Sequence, residues 1–259
     1  MPELPEINAA VAELAGAIAG KTIARAEVLH PGLARRVPAA AVAALAGRVV
    51  TGVERRGKHQ VVFFRGGGVL VVHFRLNGEW TVGRDAGELP RYTRALLVMT
   101  DGTRAALVDS RALSTVVIAG DAAAALPPLG PDPLEPAFTA AALGAALARR
   151  RGPIKPALLD QKIVAGLGNI YAAEALWLAK LSPSLPGSKL GPARLTRLVR
   201  AIKEVLRRAP AGRYWMAERE TNWRVYDREG APCRRCRTKI RRIAQAGRST
   251  FYCPTCQRR

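Results

Sequence analysis

Four cysteines fall in two close pairs, Cys233-x-x-Cys236 and Cys253-x-x-Cys256, with 16 residues between Cys236 and Cys253. Two such knuckles can present four thiolates to one tetrahedral Zn²⁺. A redox CxxC needs no second pair at this spacing, so a single structural zinc is the better account. That zinc uses all four ligands and leaves no open position for catalysis. The surrounding segment is too short to bury an adequate core, so metal binding would supply much of its folding free energy. From Cys233 to the end there is no acid, and Arg234, Arg235, Arg237, Lys239, Arg241, Arg242, Arg248, Arg258 and Arg259 are spread through it. Two strands around a turn at Gly247 would make a basic hairpin suited to phosphate contacts.

The other end carries a second chemical possibility. The chain starts Met1-Pro2-Glu3-Leu4-Pro5-Glu6. Pro5 and the two acids suit a helix start, and on that ground alone they are structural. Removal of Met1, normal before a small residue, would leave Pro2 as a free secondary amine. An α-amino group titrates near ~8 against ~10.4 for lysine, so a useful fraction is neutral and nucleophilic at pH 7. Attack on a sugar C1′ gives an iminium ion, an electron sink that permits elimination of the flanking phosphates. Glu3 stands beside that amine as a proton shuttle, and Glu6, one turn on, can orient it.

These groups need a scaffold. Residues 3–19 read as an amphipathic helix, with Ile7, Val11, Leu14 and Ile18 at helical spacing. From Arg48 to about Val117, apolar alternation and Gly-rich breaks predict antiparallel strands. The proline-rich stretch 126–136 is the best domain boundary. Helices are predicted over 138–150, near 155–163, over 169–180 and over 192–208. The expected fold class is α+β and multidomain: an N-terminal helix plus antiparallel β-sandwich (1–125), a helical domain (126–222) and a C-terminal zinc β-hairpin (223–259).

Lys plus Arg number 41 against 20 acids, a formal charge of +21. Such an excess points to a polyanionic partner, nucleic acid before anionic membrane. The apolar runs are far shorter than the ~20 residues of a spanning helix, so no membrane is expected. The acidic start is not a secretory signal, and an intracellular, cytoplasmic location at the nucleoid is expected, with reduced cysteines. On charge alone, a zinc-ribbon RNA-binding or ribosome-associated protein is a rival.

Five segments in order carry a further reading: PELPEI at the start, Arg56-Gly57-Lys58, His73-Phe74-Arg75-Leu76-Asn77-Gly78, Ile154-Lys155-Pro156 followed by LLDQKIVAGLGNIYAAEAL (158–176), and VYDREGAPC (225–233) ending in GRSTFYCPTCQ (247–257). Over nearly its whole length the chain resembles the formamidopyrimidine-DNA glycosylase/endonuclease VIII family. The resemblance implies a bifunctional enzyme that excises a damaged base and cleaves the abasic strand by β,δ-elimination. Its helical domain would be a helix-two-turn-helix, its partner double-stranded DNA with a damaged base or abasic site, and its state a monomer.

The resemblance also implies roles. Pro2 would be the Schiff-base nucleophile and Glu3 the proton donor and acceptor. Lys58 would contact the phosphate near the lesion, His73 and Asn169 would bind phosphate, and Arg248 would clamp the phosphates flanking the extruded nucleotide. Asn169, after Gly166-Leu167-Gly168, also reads as an N-cap. Lys155 would approach the damaged base. Leu76, Arg111 and Leu113 would fill the vacated space, unless the two leucines belong to the core. PELPE and HFRLNG favour oxidised purines, chiefly 8-oxoguanine and formamidopyrimidines, over the oxidised pyrimidines of the endonuclease VIII branch. A non-catalytic zinc DNA-binding homologue is a further alternative, against which the intact Pro2, Glu3 and Lys58 argue.

Two features depart from the pattern. Ala112-Leu113 stands where Arg-Phe is usual, which would relax the opposite-base preference. The stretch 208–226 is short, and its Tyr214, Trp215 and Trp223 suit either base stacking or packing.

Overall fold

The computed structural model describes residues 1–84, 87–209 and 223–258. They fall into two compact units, one ending at Pro127 and the other beginning at Pro128.

The first unit holds α1 (Leu4–Ile18), β1 (Ile23–Val28), the short helices α2 (Pro31–Ala34) and α3 (Ala39–Ala43), β2 (Val50–Arg56), β3 (His59–Phe64), β4 (Val69–His73), β5 (Glu79–Gly83), β6 (Thr93–Met99), β7 (Arg104–Val108), β8 (Thr115–Ala119) and α4 (Ala122–Ala125). Two four-stranded antiparallel sheets form, in the orders β2-β3-β4-β8 and β1-β6-β7-β5. The period of two in side-chain direction builds the sandwich. Val62, Phe64, Leu70 and Val72 of one sheet share a core with Leu97, Met99 and Leu107 of the other. The alternate residues Val61, Val69 and Val71 face outward and are covered by Ala122 and Ala125 of α4. Helix α1 sends Ile7, Leu14 and Ile18 into the sandwich core. Each such buried aliphatic side chain is worth about 1.5–3 kcal/mol. One polar link crosses that core, where the Trp80 indole donates to Gln60 Oε1 at 2.5 Å.

The second unit holds α5 (Ala140–Leu147), α6 (Ile154–Leu159), α7 (Asn169–Leu178), a 3₁₀ turn at Gly187–Lys189, α8 (Pro192–Arg207), and a hairpin of β9 (Arg241–Gln245) and β10 (Arg248–Tyr252). Helix α7 packs against α6, α8 and β10. Nearly all of its residues are buried, so it is the central pillar of this unit. Helix α8 is amphipathic, burying Leu195, Leu198, Val199, Ile202, Val205 and Leu206. Among the described residues, no helix is long and apolar enough to cross a membrane.

The expected elements are present, with three differences. The strand region starts earlier than Arg48, because β1 pairs with β6. Its IARAEV sequence lacks clean alternation, so pairing rather than pattern makes it a strand. Helix α5 is shorter than 138–150: Thr139 caps its start, its hydroxyl accepting from the Ala142 amide. Helix α6 ends at Leu159, after which the Asp160 carboxylate accepts from the Lys162 amide and turns the chain.

Candidate active centre and nucleic-acid interface

In the first unit, Pro2, Glu3 and Glu6 are all buried. Glu3 is the N-cap of α1 in extended conformation. Its amide donates to Glu6 Oε2 at 2.9 Å, so the second carboxylate fixes the backbone that carries the first. Both acids sit at the positive end of the helix, where a carboxylate is stabilised by about 0.3–1 kcal/mol. Removal of Met1 would turn the Pro2 nitrogen into a secondary amine next in the chain to Glu3, an arrangement suited to nucleophilic attack with proton transfer at short range.

Lys58 lies in the two-residue turn joining β2 to β3, where Arg56 pairs with His59. Gly57 precedes it at φ 59°, the glycine position of a II′ turn. Lys58 is buried, so it is no ordinary strand-edge charge. His59 and His73 pair across β3 and β4, their rings edge-on at 4.7 Å. Burial first, then the charges of His59, Arg75 and Lys58, lower the His73 pKa to about 3. His73 is therefore neutral throughout the physiological range. Its Nδ1 accepts from the Arg75 amide at 2.9 Å, which places the ring proton on Nε2 and makes that atom a donor.

Leu76, Arg111 and Leu113 ride on two neighbouring turns, 74–78 and 109–114. Leu113 is 43% exposed and Leu76 is half-buried, so neither is a plain core leucine. Arg111 is exposed. The turns are fastened to each other: Asn77 Nδ2 donates to Ser110 Oγ at 2.5 Å, and the Ser114 hydroxyl approaches the Phe74 carbonyl at 3.3 Å. Gly78 is required there, because a Cβ would collide with Ser114 Oγ and crowd the Phe74 carbonyl. Beneath them lies Asp109, fully buried, which sequence reasoning missed. Burial acts to raise its pKa. Hydrogen bonds from Ser114, Arg111 and Leu113 more than offset that and hold it below the usual carboxylate range.

In the second unit, Lys155 is fully buried. Its Nζ donates to Asn169 Oδ1 at 2.5 Å, Thr250 Oγ1 at 2.7 Å and the Ser249 carbonyl at 2.8 Å. Asn169 Nδ2 donates to the same Ser249 carbonyl at 3.2 Å. The residue therefore ties α6, α7 and β10 together. The N-cap reading of Asn169 needs correction: Gly168 is the N-cap and Asn169 the first helical residue. Its side chain is occupied by Lys155 and Ser249 and does not cap α7. Arg248 is exposed at the start of β10, after a two-residue turn in which Ala246 and Gly247 both have positive φ, 48° and 71°. That is the I′ geometry of tight hairpins.

Glu174, in the middle of α7, was also missed. It is 1% exposed and accepts from the amides of Arg224, Val225 and Tyr226 at 2.8–3.0 Å, which anchors the entry to the cysteine module. Trp223 packs edge-on against Tyr171 and Tyr226, at 5.6 and 6.4 Å. Tyr214 and Trp215 lie outside the described residues.

The four cysteine sulfurs lie within 4.8 Å of one another. Cys233 and Cys256 are 4.0 Å apart, and Cys236 and Cys253 3.4 Å. Tetrahedral zinc with bonds of about 2.3 Å sets its sulfurs about 3.8 Å apart, so the residues fit the metal. Burial first, then the neighbouring sulfurs, push the Cys256 thiol up to about 12. Burial also raises Cys253, whereas hydrogen bonds from Thr238 lower Cys236 to about 6, so the four sulfurs do not ionise alike and become thiolates together only around a cation. The Trp177 indole faces Cys233 Sγ at 3.4 Å, and the Arg235 guanidinium covers its ring at 4.0 Å.

Three family models match the chain in order: the formamidopyrimidine-DNA glycosylase N-terminal domain over residues 1–116, the helix-two-turn-helix domain of the same protein over 129–214, and a zinc finger found in that glycosylase and in isoleucyl-tRNA synthetase over 230–259. A formamidopyrimidine-DNA glycosylase of Rhizorhabdus wittichii is 38% identical, with all of both chains covered. The chain belongs to the formamidopyrimidine-DNA glycosylase family. A relative of that name from Paracoccus denitrificans is 40% identical over 99% of this chain and 100% of its own. Among solved structures, the Lactococcus lactis glycosylase bound to DNA with an abasic site has a TM-score of 0.90 at 29% identity, covering 99% of this chain and 100% of that one. A second, MutM with DNA containing carbocyclic 8-oxoguanine, has a TM-score of 0.90 at 28% identity over the full length of both. As in the zinc finger of that family, one structural zinc belongs to the Cys233, Cys236, Cys253 and Cys256 cluster.

Proposed function

We propose that this member of the formamidopyrimidine-DNA glycosylase family is a base-excision-repair enzyme that removes oxidised purines from double-stranded DNA and cleaves the abasic strand, acting as a monomer at the nucleoid. The observation that carries the reading is the buried Pro2 with two buried carboxylates at the head of α1. With Met1 removed, the Pro2 nitrogen attacks C1′ of the damaged nucleotide. The N–C1′ bond forms as the bond to the base breaks, and the base leaves with its electron pair and a proton. Glu3 protonates the sugar ring oxygen as the ring opens to the iminium. Loss of a C2′ proton then expels the 3′ phosphate, and a second elimination expels the 5′ phosphate. The amine is regenerated when water releases the sugar fragment.

The remaining residues grip and deform the duplex. Lys58 and Arg248 supply charge to phosphates flanking the lesion, and neutral His73 donates from Nε2. Asn169 is held for phosphate contact by Lys155, which acts through Asn169 and the Ser249 carbonyl rather than at the base. Leu76, Arg111 and Leu113 occupy the space left by the extruded nucleotide, since C1′ is unreachable inside the duplex. These roles divide among a sandwich domain (1–125), a helical domain (126–222) and the zinc hairpin (223–259). The zinc holds the hairpin and takes no part in the chemistry.

Borohydride trapping tests the reading. Incubation with a duplex bearing 8-oxoguanine opposite cytosine should give a covalent adduct that maps by mass spectrometry to Pro2 and is lost in Pro2→Gly. No adduct, even with an abasic-site duplex and an N-terminus verified as Pro2, would overturn it.

Salt dependence tests the grip. Affinity should fall linearly in a double-logarithmic plot against salt, with a slope of about 0.9 per neutralised phosphate. Arg248→Ala should reduce that slope by about 1 and weaken all duplexes alike. A flat response in the wild type would remove charge from the account.

A further inference from the structure

We propose that Asp109 is a positioning residue that sets the extrusion wedge in its working shape before DNA arrives. This rests on the reading above that Leu76, Arg111 and Leu113 fill the vacated space.

The geometry is unusual for a surface turn. The Asp109 carboxylate is fully buried, and one turn of chain is wrapped around it. Its Oδ1 accepts from the Arg111 amide at 3.0 Å. Its Oδ2 accepts from the Leu113 amide at 2.7 Å, the Ser114 amide at 2.7 Å and the Ser114 hydroxyl at 2.8 Å. The Asp109 carbonyl meanwhile accepts from the Ala112 amide at 3.2 Å. Four consecutive residues, 111 to 114, are thus referred to a single side chain and its own backbone. Ala112 is driven to φ 53°, a left-handed conformation that a non-glycine residue keeps only when its surroundings over-determine it. The result turns Arg111 and Leu113 outward on either side of it. The neighbouring turn that carries Leu76 is locked to the same base through the Asn77–Ser110 and Ser114–Phe74 contacts. Arg94 closes the ring from below, its Nε donating to the Asp109 carbonyl at 2.7 Å.

A wedge must push stacked bases apart, and a floppy one would lose the effort to its own rearrangement. Ionised Asp109 removes that freedom, because its acceptor positions match amide donors that only this backbone shape presents. Its reach differs from that of the chemistry: it touches neither the sugar nor the reacting nitrogen.

The experiment compares two substrates on the full-length, zinc-loaded protein. One is a duplex with 8-oxoguanine opposite cytosine, which requires extrusion. The other is a single-stranded oligonucleotide with a ready-made abasic site, which requires none. Asp109→Asn presents an amide to donors that need an acceptor. It should slow cleavage of the lesion duplex at least 30-fold while changing borohydride trapping on the single strand less than threefold. With 2-aminopurine opposite the lesion, the fluorescence rise that reports unstacking should slow in parallel. Ser114→Ala, which removes only one of the four donors, should show the same selectivity at three- to tenfold and serves where Asp109→Asn lowers the yield of folded protein. Equal loss on both substrates, or no loss on either, overturns the proposal while leaving the glycosylase reading intact. Failure of the wild type on both substrates instead sinks the glycosylase reading, and the wedge with it.

Discussion

Glu3→Gln is expected to abolish base release for practical purposes, lowering the single-turnover rate on an 8-oxoguanine duplex by roughly 10²–10⁴-fold. Glutamine keeps the size of the side chain but can neither give nor take a proton at the ring oxygen. The backbone that carries it is held independently, by the Glu3 amide donating to Glu6 at 2.9 Å. The lost favourable interaction with the α1 end is only about 0.3–1 kcal/mol, too little to unfold the domain. Affinity for a duplex with an uncleavable abasic-site analogue should therefore change less than threefold, measured by fluorescence anisotropy. A variant that keeps its rate within threefold of wild type would remove Glu3 from the chemistry.

Stripping the zinc should have the second-largest effect. Structural zinc contributes an apparent 10–16 kcal/mol in isolated finger peptides at pH 7. The module has little else: a small cluster around Val225, Ile240, Phe251 and the buried Cys233 and Cys253, packed on Ala173 and Trp177 of α7. Chelation, or Cys256→Ser, should unfold the hairpin and release Arg248 from its place. DNA affinity should drop at least tenfold. Trp177, whose indole lies 3.4 Å from Cys233 Sγ, offers a local reporter. Its emission should shift to the red as zinc leaves, and Trp177→Phe should lose that shift. Unchanged emission and affinity in a protein shown by metal analysis to be zinc-free would refute the structural assignment.

How legible these sites were in the sequence depended on whether their signal was local. The cysteine pairs, the Pro2-Glu3 start and the turn at Gly247 declare themselves through short spacings, and the alternation in β3 and β4 through period two. The acids that organise the turns do not. Asp109 is one acid before a turn, and nothing in DSRALS announces that six donors converge on its carboxylate and carbonyl. The Asn77–Ser110 and Ser114–Phe74 fastenings, 33 and 40 residues apart in the chain, are products of the sandwich, not of neighbouring letters. Glu174 did leave a signal. A helix buried on almost every side, NIYAAEALWL, carries one carboxylate in its middle, and a buried charge must have partners. Lys155 shows what no local pattern carries. The resemblance places it near the damaged base, and its burial with three oxygen acceptors, two of them 94 and 95 residues away in the chain, is visible only in the folded protein; that is its occupation here.

That occupation has a thermodynamic corollary. The Ser249 carbonyl serves Lys155 and Asn169 at once, next door to Arg248. Melting of the metal-bound hairpin therefore withdraws an acceptor from the helix that presents Asn169. If Asn169 and Arg248 both meet phosphate as proposed, the shared Ser249 link couples helix to hairpin, and their free-energy contributions to DNA affinity are expected not to add. On the proposed phosphate roles of Asn169 and Arg248, any loss of metal is transmitted to a side chain on a different element, and a zinc-depleted molecule is expected to release its substrate instead of lingering half-attached to it.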